Sequence, residues 1–237
     1  MIPEWLTIVS YVSIASGIFS AVIITIDVIN RPPKMKIMAW VWPLTALSGS
    51  LLLLWFYFKY GRASKSTENS INSKNENTKM PVAVAKGALH CGAGCSLGDL
   101  IGETSAFIIP AVLVPFGFPG LFSDKIFAIW GLDFLFAFTL GIIFQYFAIV
   151  PMRNLKMREG IKEAIKADTL SLISWQVGMY GFMAFANFYL FNQVFRTSME
   201  TNTFSFWFMM QIAMLAGFLT AYPTNWWLIN KGIKEKM

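Results

Sequence analysis

Apolar residues along the chain come in long blocks, not in the short alternations of half-buried strands or one-faced helices. The blocks run Ile2 to Val28, Ile37 to Phe58, Pro81 to Val114, Ile126 to Val150, Asp168 to Phe191 and Phe204 to Ile229. Each reaches the roughly 20 mostly apolar residues that a helix needs to cross a bilayer. Charged or Pro-containing breaks separate them, and Arg31-Pro32-Pro33-Lys34 ends the first because proline cannot continue a helix. The pattern predicts an all-α fold, a polytopic membrane bundle of six transmembrane helices.

Polarity divides these helices into groups. Gly61 to Lys79 is rich in Ser, Asn, Lys and Glu and nearly free of large apolar side chains, so it cannot bury enough surface to fold alone. The expected organisation is an N-terminal two-helix transmembrane hairpin over residues 1–60, a flexible polar linker over 61–80, and a four-helix transmembrane domain over 81–237. Trp40 and Trp42 read as an interfacial belt. Arg153 to Lys166 reads as a basic, amphipathic connector on the membrane surface.

Composition supports the membrane class, with 56% hydrophobic and only 14% charged residues in 237. The net charge of +6 is expected to record cytoplasmic loops and lipid head groups, not nucleic acid. With the N-terminus inside, six crossings put fourteen of the nineteen Lys and Arg in the cytoplasm, leaving Arg31, Lys34, Lys36, Lys125 and Arg196 outside. That asymmetry predicts a multi-pass protein of a bacterial inner (cytoplasmic) membrane with both termini cytoplasmic. No Lys or Arg precedes the first block and no small-residue cleavage site follows it, so it is expected to be a span and not a signal peptide.

Chemistry concentrates in the third block. In a helix, Cys91, Cys95, Asp99 and Glu103 follow one another at i+4 and form one stripe, with His90 about 100° to its side. Gly94, Gly98 and Gly102 repeat at the same spacing and predict close packing against another helix. The fifth helix, with its row of Ser171, Trp175, Met179 and Met183, is the expected partner. His90, Cys91, Cys95 and Asp99 offer ligands for a transition metal such as copper or zinc. Glu103 is expected to relay a proton or ion deeper in the membrane, and Met179, Tyr222 and Asn225 are outside candidates to support the site. His90 to Asp99 spans about 13 Å of helix axis, too far for one ion without an unwound turn, so the site is expected to be completed by another helix, a second ion, or unwinding at Gly92 and Gly94. Asp27 and Asp168 sit near helix ends where water is expected to reach them.

Three motifs carry a family resemblance: Val41-Trp42-Pro43-Leu44-Thr45-Ala46-Leu47, His90-Cys91-Gly92-Ala93-Gly94-Cys95-Ser96-Leu97-Gly98-Asp99, and Tyr222-Pro223-Thr224-Asn225-Trp226-Trp227 followed by Gly232-Ile233-Lys234-Glu235. From about Met35 onward the chain resembles a bacterial integral-membrane family classed only as a domain of unknown function. The resemblance implies a membrane location and no reaction. Three functions compete on the residues themselves. The first is a metal site acting in transport, sensing or homeostasis. The second is a proton- or ion-coupled small-solute transporter using Asp99 and Glu103. The third is a redox or structural membrane subunit, with a homo-oligomer compatible with each. No Ser-His-Asp set, phosphate-cradling Gly loop or His-Glu-x-x-His appears, so the chain leans away from an enzyme.

Overall fold

The computed structural model describes residues 2–63 and 78–236, and their regular structure is helical throughout. The long elements are α1 (Glu4–Asn30), α2 (Met38–Phe56, continued by wide i→i+5 turns over Tyr57–Gly61), α3 (Met80–Ile108), α4 (Lys125–Arg153), α5 (Met157–Ala184, continued by such turns over Phe185–Phe195) and α6 (Phe204–Asn230). Starts are set locally. Pro81 occupies the first turn of α3, Asp124 accepts a hydrogen bond from the Ile126 N–H, and Thr203 accepts one from the Phe206 N–H. Most of the expected linker lies outside the described residues.

By length and composition, Glu4–Asn30, Met38–Gly61, Lys125–Pro151 and Phe204–Asn230 could each cross a membrane. A fifth candidate is α3 with the short helix Pro110–Phe116, bent by 112°. The Met38–Gly61 stretch is not straight, however. Ser50 adopts φ 46° and ψ −137°, and the chain reverses there. The Trp42 and Tyr57 rings are 5.4 Å apart, whereas a continuous helix would separate these residues by about 22 Å. The two halves, 38–49 and 51–61, therefore form a helical hairpin about 15 Å deep, half a bilayer. Trp42, expected in an interfacial belt, is buried between these halves against Gly61, while Trp40 is exposed.

The turn frees backbone groups, and α6 satisfies one of them. Gln211 donates to the Leu47 carbonyl (2.6 Å) and accepts from the Ser13 hydroxyl (2.6 Å), so the tip of α2 and the middle of α1 are fixed to α6. At the base, Tyr57 and Arg62 donate to the Asp27 carboxylate, with Arg62 Nη2 at 2.6 Å. The opposite end of α1 packs Tyr11 on Phe204, ring centroids 4.3 Å apart. The start of α1 thus lies beside the start of α6, and its end lies at the other end of the bundle.

Helices α3 to α6 form the rest of the bundle. The residues from Met157 to Lys166, expected as a separate surface connector, are the first turns of α5, which rises without a break past Asp168. Arg153 ties this corner down, bonding Glu163 at 3.1 Å and Glu235 at 2.6 Å.

Candidate functional site

Helix α3 is unbroken from Met80 to Ile108, and both candidate stripes lie on it. The glycine stripe meets α4, not α5. A Cβ on Gly94 would lie 2.8 Å from the Gly141 Cα, and one on Gly98 would strike the Ala137 backbone. A Cβ on Gly102 would overlap the Asp133 carboxylate. Each step along α3 is matched by one turn of α4 running the other way, so the backbones touch through Gly94–Gly141 and Gly98–Ala137. One turn further, the same register sets Gln145 against His90. Helix α5 reaches α3 elsewhere: the Trp175 ring fills the space over Gly92 and also abuts Gly217 of α6. The bulky row expected to fill the glycine groove was too large for it, and the small residues of α4 took that place.

All the predicted α3 residues are buried, but they face three different settings. At the inner end, meaning the end that holds the C-terminus of α6, neither ring nitrogen of His90 has a hydrogen-bond partner among the described residues. Asp168 of α5, expected in contact with water, is fully buried and pairs with Lys234, its Oδ1 2.9 Å from Nζ. Both charges act on His90. Asn225 donates to the Ser171 hydroxyl at 2.7 Å and to the Ala221 carbonyl, while its Oδ1 is unpartnered. Tyr222 lies apart, donating to the Pro81 carbonyl at 3.3 Å.

The middle of α3 holds Cys91 and Cys95, both free thiols, within a buried cluster that includes Met179, Met183, Met210 and Met214. Its thioethers bring soft donors near the thiols.

The outer end gathers acids. Asp99 and Glu103 are buried, and Asp133 of α4 lays its carboxylate against Gly102 between them, close enough for all three charges to interact. Sequence reasoning placed Asp133 in its helix but not in the site. The signal was there, since Asp133, Ala137 and Gly141 repeat at i+4 as the glycines of α3 do. Both Asp99 oxygens and Oδ1 of Asp133 lack hydrogen-bond partners among the described residues, while Glu103 accepts from Thr201 at 3.1 Å. Among the described residues none of the three acids forms an ion pair, and Lys125 pairs instead with Glu200 at 3.2 Å. Tyr180 of α5 lies near these acids, stacked on Trp130 at 4.9 Å and donating to its carbonyl.

Among the described residues no three His, Cys, Asp or Glu side chains converge as a metal-binding group. The straight helix keeps His90 and Asp99 at opposite ends of the stripe, and the unwinding that would join them does not occur. What the arrangement offers instead is a line of buried polar groups along one helix, with thiols at its centre.

No curated protein and no solved structure matches the chain. Residues 82–234, which span α3 to α6 and hold all of these groups, match the family described as Domain of unknown function (DUF4396), and the chain belongs to that family.

Proposed function

We propose that this protein moves protons or small cations across a membrane along the polar face of α3, with Asp99, Glu103 and Asp133 as the cation-binding or proton-carrying site. The observation that carries this reading is three buried carboxylates with no cationic partner among the described residues. In lipid each uncompensated charge costs several kcal/mol, so the cluster requires protons, water or a cation from outside the protein. His90, Gln145 and Gln176, buried with side-chain atoms unpartnered among the described residues, add polar groups on α3, α4 and α5 toward the inner end.

The same reading fits five crossings (α1, α3, α4, α5 and α6) and one re-entrant hairpin, α2. Irregular backbone at membrane depth is tolerated where protein satisfies it, and the half-buried Ser50 turn is met by α1 and α6: Ser50 donates to the Ser13 carbonyl and Leu47 accepts from Gln211. Among the described residues every Lys and Arg except Lys125 and Arg196 then falls in the inner half, a sharper asymmetry than six crossings give. The C-terminus is cytoplasmic in this arrangement and the N-terminus is on the opposite face.

Purified protein in liposomes loaded with a pH-sensitive dye tests the function. Wild type should dissipate an imposed pH or cation gradient, and Asp99→Asn should lower that flux at least tenfold. Flux equal to that of empty liposomes for protons, Na⁺, K⁺ and divalent ions refutes it.

One observation favours a second reading, transport or sensing of a soft transition metal: Cys91 and Cys95 share a buried cluster with several methionines. Cu(I) prefers such thiolate and thioether donors. Metal content after controlled loading should then fall in Cys91→Ser/Cys95→Ser, and equal, negligible amounts in wild type and variant remove this reading.

A further inference from the structure

The inner end of the α3 stripe contains a cation already. Lys234 lies beyond the end of α6, after Gly232 at φ +67°, in a segment rich in charge. Such a lysine is expected in water. Instead the chain turns back, with the N–H groups of Ile233 and Lys234 donating to the Leu228 carbonyl, and the side chain enters the bundle. Its ammonium reaches Asp168 at 2.9 Å with both side chains fully buried.

The surroundings exceed what one ion pair needs. Asp168 Oδ2 has no partner among the described residues, and neither do both nitrogens of His90 and the Oδ1 of Asn225. A point one carbon out from Gly87 lies 3.6 Å from Asn225 Oδ1 and 3.9 Å from Lys234 Cε, so that oxygen and the lysine stem flank the same small space on α3. A carboxylate and an amide oxygen are donors suited to an ammonium-sized cation, and here one carboxylate oxygen and the amide oxygen are without partners among the described residues. The hold on the segment is weaker than the pair it delivers. Outside the bundle it rests on the Leu228 carbonyl and on Glu235–Arg153, a partly exposed ion pair of the kind that contributes little.

We infer that Asp168 anchors a cation-binding site at the inner end of the α3 stripe, held in this structure by the tethered Lys234 ammonium, which leaves to admit a free cation of primary-ammonium size; Asn225 Oδ1, beside the lysine stem, is the further donor that a free cation can reach. Lys234 is then both a stand-in ligand and the inner closure of the polar line, its stem lying by Gly87, one helical turn before Cys91 on the same face of α3.

Thiol protection tests this without measuring flux, so a failure here is distinct from a failure of the transport reading. In a Cys95→Ser background, Cys91 is titrated with a small cationic methanethiosulfonate reagent on protein in lipid nanodiscs. Lys234→Ala should react at least tenfold faster than its parent. Propylammonium should restore protection saturably and raise the melting temperature, whereas tetramethylammonium at equal ionic strength should do neither. Lys234→Ala/Asp168→Asn removes both charges, so it folds without an unpaired ion; it should stay reactive and gain no protection from propylammonium. If this double variant melts like its parent and reacts at the parental rate, Lys234 is not the closure. If propylammonium and tetramethylammonium act alike on Lys234→Ala, there is no cation site.

Discussion

The N-terminal helices and the α3–α6 bundle treat buried polarity in opposite ways. In the first, polar side chains are few and matched: Asp27 takes hydrogen bonds from Tyr57 and Arg62, and Gln211 closes the gaps at Ser13 and Leu47. In the second, His90, Asp99, Asp133, Gln145 and Gln176 are buried with unpartnered atoms among the described residues. Matched groups hold two parts of a structure in one arrangement. Unmatched ones in lipid are costly and persist where a ligand, proton or water completes them. Under the proposed transport reading, the first region is scaffold and the second the working part.

The largest effect should come where the bundle matches its polarity within the protein. Lys234→Ala leaves Asp168 buried without its partner, which typically costs about 3–5 kcal/mol. Lys234→Ala/Asp168→Asn should recover most of that loss in thermal or denaturant unfolding. A single variant as stable as wild type would mean that the pair carries no structural weight.

Next in size is the contact between α3 and α4. A side chain at Gly98 meets the Ala137 backbone, which cannot move as a side chain can, so Gly98→Leu should cost about 1–3 kcal/mol or more. Gly181 of α5 has nothing within 4 Å of its missing Cβ, and Gly181→Ala should be neutral or raise stability by up to about 1 kcal/mol. Equal losses in both would show that the glycine stripe does not set the packing.

That contact also shows what could be read from the residues alone. The start of α3 at Pro81, its i+4 stripes and its burial followed from spacing; its end did not, for the helix stops at Ile108, before Pro110, instead of running to Val114. The partner did not, because the i+4 row of Asp133, Ala137 and Gly141 is hidden among bulky apolar residues, while Trp175 and Met179 drew attention by size. The reversal at Ser50 was hidden too. Trp42 to Phe56 is apolar enough to read as one span, and Ser48-Gly49-Ser50 at its centre was the only mark of a turn. Lys234 sits in a Lys-rich run at the end of the chain, where composition argues for exposure; only tertiary packing reveals its burial.

A smaller effect tests the scaffold side. Gln211→Leu deprives the Ser13 hydroxyl and the Leu47 carbonyl of their partner in a low-dielectric setting, at about 1–3 kcal/mol. Its consequence should be local: faster hydrogen exchange at the tip of α2 with Asp99-dependent flux retained. Loss of flux with an intact fold would place the hairpin in the working part.

The smallest change in stability and the sharpest functional contrast are expected at Asp133. Its carboxylate is buried beside Gly102 near Asp99 and Glu103 with no cationic partner among the described residues, so a neutral group there breaks no favourable pair. Asparagine has nearly the same shape and keeps an oxygen beside Gly102, where no larger group fits. Asp133→Asn should therefore change unfolding stability by no more than about 1 kcal/mol, in either direction, as substitutions without a named structural penalty do. Flux in the same liposomes should fall at least tenfold, because the site then lacks one of its three acids. The two readings of a buried acid separate here. If Asp133 serves the fold, stability drops and flux follows in proportion to the protein that remains folded. If it serves the passage of a cation, the melting temperature holds while flux is lost. Normal flux in a stable variant would remove Asp133 from the site and leave Asp99 and Glu103 to act as a pair on α3.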